Sequence, residues 1–122
     1  MAFLALPLSS GPVLDEFGTV RVAQRAFLNA TASGNTQIVP AQGAGIRVRV
    51  LGVTVVSLTA LTIKFQSGTT DISSGKPVAA TGGWVAPEAI AGWFQTAPNE
   101  ALNINLSGAG TVGVDVVWVQ AG

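Results

Sequence analysis

The sequence predicts an all-β fold: an antiparallel β-sandwich of the jelly-roll type, preceded by an extended N-terminal arm. Three observations lead to this prediction. Apolar and polar residues alternate with a period of two over much of the chain, turn-forming runs such as ASGN, QGAG and SGAG separate the alternating segments, and no segment has a helical period. About seven or eight short strands in about 100 residues are typical of a sandwich or barrel. A chain of 122 residues accommodates one such domain.

The N-terminal segment differs from the rest of the chain. Residues 1–24 are predicted to form the arm and residues 25–122 the sandwich, because the first segment is rich in proline and glycine and has no sustained period. It has no Lys or Arg before its apolar run, unlike a cleaved signal peptide. An unstructured tail is the alternative, but the apolar content of the segment favours an arm that docks on another surface. Removal of residues 1–20 should therefore leave the sandwich folded and weaken binding to that surface. The large apolar residues of the arm are Phe3, Leu4, Leu6 and Leu8.

The strongest strand predictions come from strict alternation. In IRVRVLGVTVV, Ile46, Val48 and Val50 share one face, and Arg47 and Arg49 share the other. LTIKFQ and LNINLS repeat this pattern, as expected of strands with one face in the core.

The last predicted strand, VGVDVVWVQ, alternates first and then becomes apolar on both faces over residues 116–119. A strand covered on both faces lies at the centre of a sheet or against another subunit. Residues 87–92 could form a single helical turn, since proline suits its first position and glycine its C-terminal cap. The weaker strand candidates are residues 26–32, 36–40, 77–80 and 84–86.

Composition excludes most catalytic chemistry. The chain has no His, Cys or Tyr, so a zinc site, a Cys-His pair and a Ser-His-Asp triad are all impossible. No spacing of the carboxylates suggests a glycosidase pair or a calcium loop. We therefore expect a protein that is not an enzyme and that has no catalytic, cofactor-binding or metal-binding residues.

Charge and hydropathy indicate the kind of partner. Six basic and six acidic residues balance to zero, which argues against nucleic acid as a partner. No apolar window approaches the length of a membrane span, so a membrane partner is not expected. A mean hydropathy of +0.51 with so few charges predicts that part of the surface is covered in an oligomer or larger assembly.

The run GAGTVG at residues 108–113 matches the dinucleotide-binding fingerprint but lacks its structural context. A strand-forming segment follows it, so there is no helix N-terminus to hold a pyrophosphate. We interpret the run as a hairpin turn.

Two groups of residues are candidates for interaction. Arg47 and Arg49 lie on one strand face, with Lys64 possible on a neighbouring strand, and could bind an anionic group of a partner; an ordinary solvated face is the alternative. Trp84, Trp93 and Phe94 lie in the aromatic segment GGWVAPEAIAGWFQT. They could close the open end of the sandwich or form a surface between subunits, and the sequence leaves both interpretations open.

The run VTVVSLTALTIKFQSGTTDIS, followed by GGWVAPEAIAGWFQTAPNEALNINLSGAGTVGVDVVWV, resembles a group of small capsid decoration, or cement, proteins of tailed bacteriophages. The likeness covers roughly residues 46–119 and consists of turns and core strands. It implies fold-defining roles for residues 92–94 and 100–103, and no active-site residue.

The resemblance implies a structural protein of the virion that binds the outer surface of the phage capsid. Its partner would be the major capsid protein of the head, and its expected state is a homotrimer. The alternative, from another class, is a receptor-binding or glycan-binding module of a phage fibre or spike, in which Trp84 and Trp93 would stack on sugar rings.

Overall fold

The computed structural model describes residues 11–14 and 20–122, and it confirms the predicted β-sandwich. Two antiparallel sheets pack face to face, and the described residues contain no helix. The strands are β1 (Gly11–Leu14), β2 (Val20–Ala30), β3 (Gly34–Val39), β4 (Arg47–Ser57), β5 (Leu61–Ser67), β6 (Thr70–Asp71), β7 (Lys76–Val78), β8 (Gly82–Ala86), β9 (Phe94–Gln95), β10 (Leu102–Leu106) and β11 (Val112–Ala121).

The strand pairing is that of a jelly roll. β2 pairs with β11, β3 with β10, β4 with β8 and β9, and β5 with β6 and β7, so the pairs are nested from the chain ends inward. The larger sheet has the order β1-β2-β11-β4-β8, and the smaller one has the order β3-β10-β5-β6. Such a nested antiparallel ribbon, rolled into two sheets, is the jelly-roll arrangement.

Strand pairing begins earlier in the chain than the sequence predicted. β2 starts at Val20, so the predicted domain boundary at residue 25 falls inside this strand. β1 pairs with β2 in antiparallel register, with Gly11 opposite Ala23 and Leu14 opposite Val20. Residues 11–14 therefore belong to the larger sheet.

The core lies between the sheets and is built from the alternating residues that the sequence indicated. Val48 and Val50 of β4, Ile63 and Phe65 of β5 and Ile104 of β10 are fully buried. β11 lies between β2 and β4, which explains why it is apolar on both faces. The prediction of a central strand for residues 116–119 is confirmed.

A β-bulge in β4 changes which residues face the core. Val117 of β11 lies opposite Gly52, whereas Trp118 lies opposite Val50, so Leu51 is the extra residue. Even-numbered residues before the bulge and odd-numbered residues after it point inward. The simple alternation in the sequence does not continue through this point.

Two local predictions were wrong. Residues 87–92 do not form a helical turn; they form a loop with a β-turn in which the Gly92 amide donates to the carbonyl of Ala89. Residues 108–113 do not form a hairpin turn, because β10 and β11 belong to different sheets. This segment is a crossover between the sheets.

Candidate interaction surfaces

The structure places the predicted interaction residues on two parts of the larger sheet. Arg47 and Arg49 lie on β4, and Trp84 lies on β8 at the edge of the sheet. Trp93 ends the loop that leads to β9, and Phe94 begins β9. Phe3, Leu4, Leu6 and Leu8 lie outside the described residues.

Trp84 and Phe94 close one side of the core. The Phe65 ring stacks on Phe94 with centroids 5.1 Å apart, and Trp84 meets Phe65 edge to face at 6.0 Å. Phe65 is fully buried, while Trp84 and Phe94 are half-buried. Pairs of this kind contribute about 0.5–1.5 kcal/mol beyond the area that they bury. These two residues therefore match the interpretation in which aromatic side chains close the sandwich.

A groove of about 340 Å³ lies outside this aromatic cluster, between the edges of the two sheets. The Lys76 ammonium lies 5.6 Å from the centre of the Trp84 ring and donates to the Ser74 hydroxyl. Among the described residues, the indole Nε1 of Trp84 is buried and has no hydrogen-bond partner. The groove is lined by Ile72, Ser73, Ser74, Lys76, Trp84, Val85, Ala86, Trp93 and Phe94.

Trp93 is the exposed member of the aromatic set. About half of its surface is accessible (51%), and its indole N–H donates to the carbonyl of Pro87 at 2.7 Å. The loop is held against β4, because the amides of Ala89 and Trp93 donate to the carbonyls of Leu51 and Val50. Trp93 is therefore a ring fixed on the surface rather than a core residue.

Arg47 and Arg49 are half-buried and hold the chain after the loop. Arg49 makes two hydrogen bonds to the Gln95 amide oxygen, and Arg47 donates to the carbonyl of Thr96. The Thr96 hydroxyl accepts a hydrogen bond from the Val48 amide and is completely buried. Both guanidinium groups therefore form hydrogen bonds within the chain, which hold β9 and the residue after it next to β4.

Lys64 does not join the two arginines, as the sequence had suggested it could. It lies on β5 in the smaller sheet and forms an ion pair with Asp71 at 3.1 Å. Membership of a sheet depends on non-local pairing, which a single strand's alternation does not reveal. The anion-binding trio of Arg47, Arg49 and Lys64 is therefore not formed.

The outer face of the smaller sheet is polar. Asn105 donates to Asn35 across β10 and β3, Asn103 donates to the carbonyl of Gly68, and Gln66 donates to Asp71. Hydrogen bonds from Gln66 and Lys64 hold the pKa of Asp71 below its ordinary value of 3.8. Asn35 and Gln37 on this face are exposed, as polar side chains usually are.

The outer face of the larger sheet is different. Phe27 is 76% exposed, Val85 65% and Val56 53%, although all three lie on regular strands. Phe27, Asp115, Thr54 and Val85 form one row across β2, β11, β4 and β8. The next row contains Asn29, Gly113, Val56 and Gly83, of which two have no side chain. We call the three exposed side chains of Phe27, Val56 and Val85 the apolar patch; Asp115 and Thr54 lie between Phe27 and Val85 in their row.

The apolar patch ends where the same face becomes buried. Toward the start of β2, Ala23, Leu51 and Val119 form a second small cluster on the outer side, with at most 3% of each exposed. The two ends of one sheet face are therefore covered to very different extents.

Sequence reasoning missed the apolar patch for a physical reason. Phe27 shares a strand face with Arg25 and Asn29, so the alternation in the sequence predicts a polar face there. Val56 lies beyond the bulge at Leu51, where the phase is inverted. The signal available in the sequence was the adjacent pair Leu51-Gly52, since a glycine inside a strand often marks a bulge.

The described residues contain no group of three or more His, Cys, Asp or Glu side chains that could hold a metal ion. The described residues also include no helix that is long and apolar enough to cross a membrane.

Comparison with known proteins adds no family assignment. No protein-family model, curated protein or solved structure matches this chain.

Proposed function

We propose that this chain is a structural virion protein that binds the outside of a tailed-phage capsid as a homotrimer and stabilises the shell. The observation that carries the proposal is the apolar patch, which lies on one outer face of a jelly roll whose other outer face is polar. Large apolar side chains exposed on one sheet face are candidates for an interaction site, and they support the proposal. The resemblance to decoration proteins over residues 46–119 supplies the identity of the partner.

The two faces suggest an orientation on the shell. The larger sheet carries the apolar patch and also β1, from which the N-terminal arm continues. In our proposal this side faces the major capsid protein and the polar face of the smaller sheet faces water. Trp93 and the loop that holds it are assigned to the contact between subunits.

The size of the patch argues for attachment at many points. Four strands about 4.8 Å apart and two rows of outward-facing residues, at about 6.6 Å per row, cover about 250 Å². A stable interface buries about 800 Å² on each partner, so one patch gives a weak contact. A trimer that binds three sites on a regular shell gains affinity without new contacts. Since the protein would bind the assembled shell and not its free subunits, it would stabilise the shell by mass action.

The patch can be tested with paired variants. Full burial of a side chain such as Phe or Val contributes about 1.5–3 kcal/mol, and about 1.4 kcal/mol corresponds to a tenfold change in affinity. We therefore expect Phe27→Ser with Val85→Ser to weaken co-sedimentation with undecorated heads by at least about tenfold. Gln37→Ser, on the polar face, is the control and should bind as the original chain does. Equal binding by both variants would remove the patch from the capsid contact.

A second candidate function is glycan binding in the groove. The observation that favours it is the pair of indoles beside one ammonium group: Trp93 is exposed, and Lys76 lies over Trp84. Aromatic faces of this kind stack on sugar rings. Under this function, a sugar should protect Trp93 fluorescence from acrylamide, and Trp93→Phe should abolish that protection.

A further inference from the structure

We infer that the groove binds an acidic sugar, with the carboxylate of a hexuronic acid residue on the Lys76 ammonium and the sugar ring on the face of Trp93. This inference rests on the second candidate function, glycan binding, and names the chemical class of the glycan. It follows from the hydrogen-bonding groups that the groove leaves free, from its charge, from the state of its two indole rings and from its open shape.

The free polar side-chain groups of the groove are hydrogen-bond donors. Lys76 donates one N–H to the Ser74 hydroxyl at 2.6 Å, and the O–H of Ser74 donates to no described residue. The Nε1–H of Trp84 is a donor without an acceptor among the described residues. The Ser73 hydroxyl is already engaged, because it accepts from the Phe65 amide and donates to the Ser74 carbonyl. A ligand that satisfies the free groups must therefore bring acceptor atoms.

The charge of the groove is positive. Lys76 is the one charged side chain among the described residues that line it, and no ion pair joins it to a described carboxylate. The side chain is half-buried against the ring of Trp84, so an anionic group bound there is screened less by water than on an open surface. A carboxylate has two acceptor oxygens and can accept from the ammonium and from the Ser74 hydroxyl at the same time. The groove therefore favours a ligand with a carboxylate.

The two indole rings of the groove differ in what they leave free. Trp84 is covered by Lys76 on one face and meets Phe65 edge to face. Trp93 is half exposed, and its N–H already donates to the carbonyl of Pro87. Trp93 therefore offers a ring surface without an unsatisfied polar group, as stacking on the C–H face of a sugar requires. A hexuronic acid carries its carboxylate on the ring that stacks, so one sugar residue can make both contacts.

The open shape of the groove favours a sugar over a fatty acid. The groove lies between the edges of the two sheets, and its volume of about 340 Å³ is near the lower end for small-molecule sites. An acyl chain needs an enclosed apolar site to bury its length, whereas the hydroxyl groups of a sugar can remain in water. The expected ligand is therefore the terminal residue of an acidic glycan.

Two sugars that differ only in the carboxylate test the inference: methyl glucuronide and methyl glucoside. The measurement is the indole N–H signal of each tryptophan in two-dimensional NMR. We expect methyl glucuronide to shift the signals of Trp93 and Trp84 and to bind at least about tenfold more tightly than methyl glucoside, since hydrogen bonds to charged groups are the stronger ones. Trp118 lies in the core, and its signal should not move.

A substitution of the lysine tests which group holds the carboxylate. Lys76→Gln removes the charge and keeps a hydrogen-bond donor, so it should lower the affinity for methyl glucuronide at least about tenfold and leave the affinity for methyl glucoside unchanged. Lys64→Gln is the matched control, because Lys64 pairs with Asp71 on the smaller sheet, and it should leave both affinities unchanged. Equal effects of the two substitutions would overturn the inference.

The same titrations separate this inference from the functions proposed above. Equal binding of the two sugars would leave glycan binding in place and refute the preference for an acid. No shift of the Trp93 signal with either sugar would refute both. A change in the mass of the protein with Lys76→Gln would show that the groove is a contact between subunits, which also overturns the inference. Co-sedimentation with phage heads tests capsid binding independently of these results.

Discussion

At the scale of single residues, buried polar groups fix the position of the strands at the edge of the larger sheet. Thr96 is the clearest case, because its hydroxyl is completely buried and accepts the Val48 amide at 2.9 Å. Its own amide donates to the Val48 carbonyl. The hydroxyl therefore holds β4 at the point where the chain leaves β9.

Removal of that hydroxyl should destabilise the protein. Thr96→Val keeps the shape of the side chain and leaves the buried Val48 amide without an acceptor, which costs about 1–3 kcal/mol. Urea unfolding followed by tryptophan fluorescence measures the change. Thr96→Ser retains the hydroxyl and is the control; equal loss of stability in the two variants would mean that the missing methyl group, or packing, matters more than the hydrogen bond.

Asp71 should give the folded state a pH dependence in the acidic range. Its pKa is lowered in the folded protein by hydrogen bonds from Gln66 and Lys64. A lowered pKa means that the carboxylate stabilises the folded state above its ordinary value of 3.8 and that this contribution is lost as the pH falls through the lower folded value. Asp71→Asn should remove that part of the pH dependence in unfolding experiments from pH 6 to about pH 2. An unchanged pH profile in the variant would show that other carboxyl groups determine it.

At the scale of elements, strands can pair only where no side chain keeps their two backbones apart. β8 lies against β4 with Gly83 opposite Val56, and a Cβ atom added at Gly83 would lie 1.9 Å from the carbonyl oxygen of Val55. No rotation of a side chain relieves a contact with backbone. This glycine allows β8 to stay in the sheet.

Gly83→Ala should therefore separate β8 from β4. We expect faster hydrogen exchange over residues 53–57 and a loss of stability at least as large as the few kcal/mol of overpacking in a core. Gly108→Ala is the matched control, because a Cβ atom there has open space and the backbone has no positive φ. Similar effects of both substitutions would contradict the close approach.

Strands that bury one face were predictable at this scale, and the irregular ones were not. β10 alternates over its whole length, and β5 alternates in sequence up to Gln66, so the inward faces of both strands follow from the sequence; the burial of Gln66 and Ser67 at the end of β5 does not. β6 and β9 have two residues each, too few for any period. The bulge at Leu51 depends on how β11 pairs with β4, a contact between distant parts of the chain. The same non-local pairing separates Lys64 from Arg47 and Arg49.

At the scale of the whole molecule, the contrast between the two outer faces is the main feature. The inner faces build the core and can be predicted from alternation, but Phe27, Val56 and Val85 are seen to share one outer face only when β2, β4 and β8 are placed in the same sheet. The chain has only 12 charged residues, so charge repulsion does little to prevent the apolar patch from associating with other surfaces. Our proposal is therefore that a partner covers the apolar patch.

The most direct test of the proposed function is to measure the mass of the purified protein by light scattering and its co-sedimentation with phage heads assembled without it. We predict a species with three times the chain mass of 12.3 kDa that sediments with the heads, saturates at a fixed number of copies and raises the temperature at which the heads break. A protein that stays in the supernatant at all concentrations, while the heads break at an unchanged temperature, would contradict the proposed function.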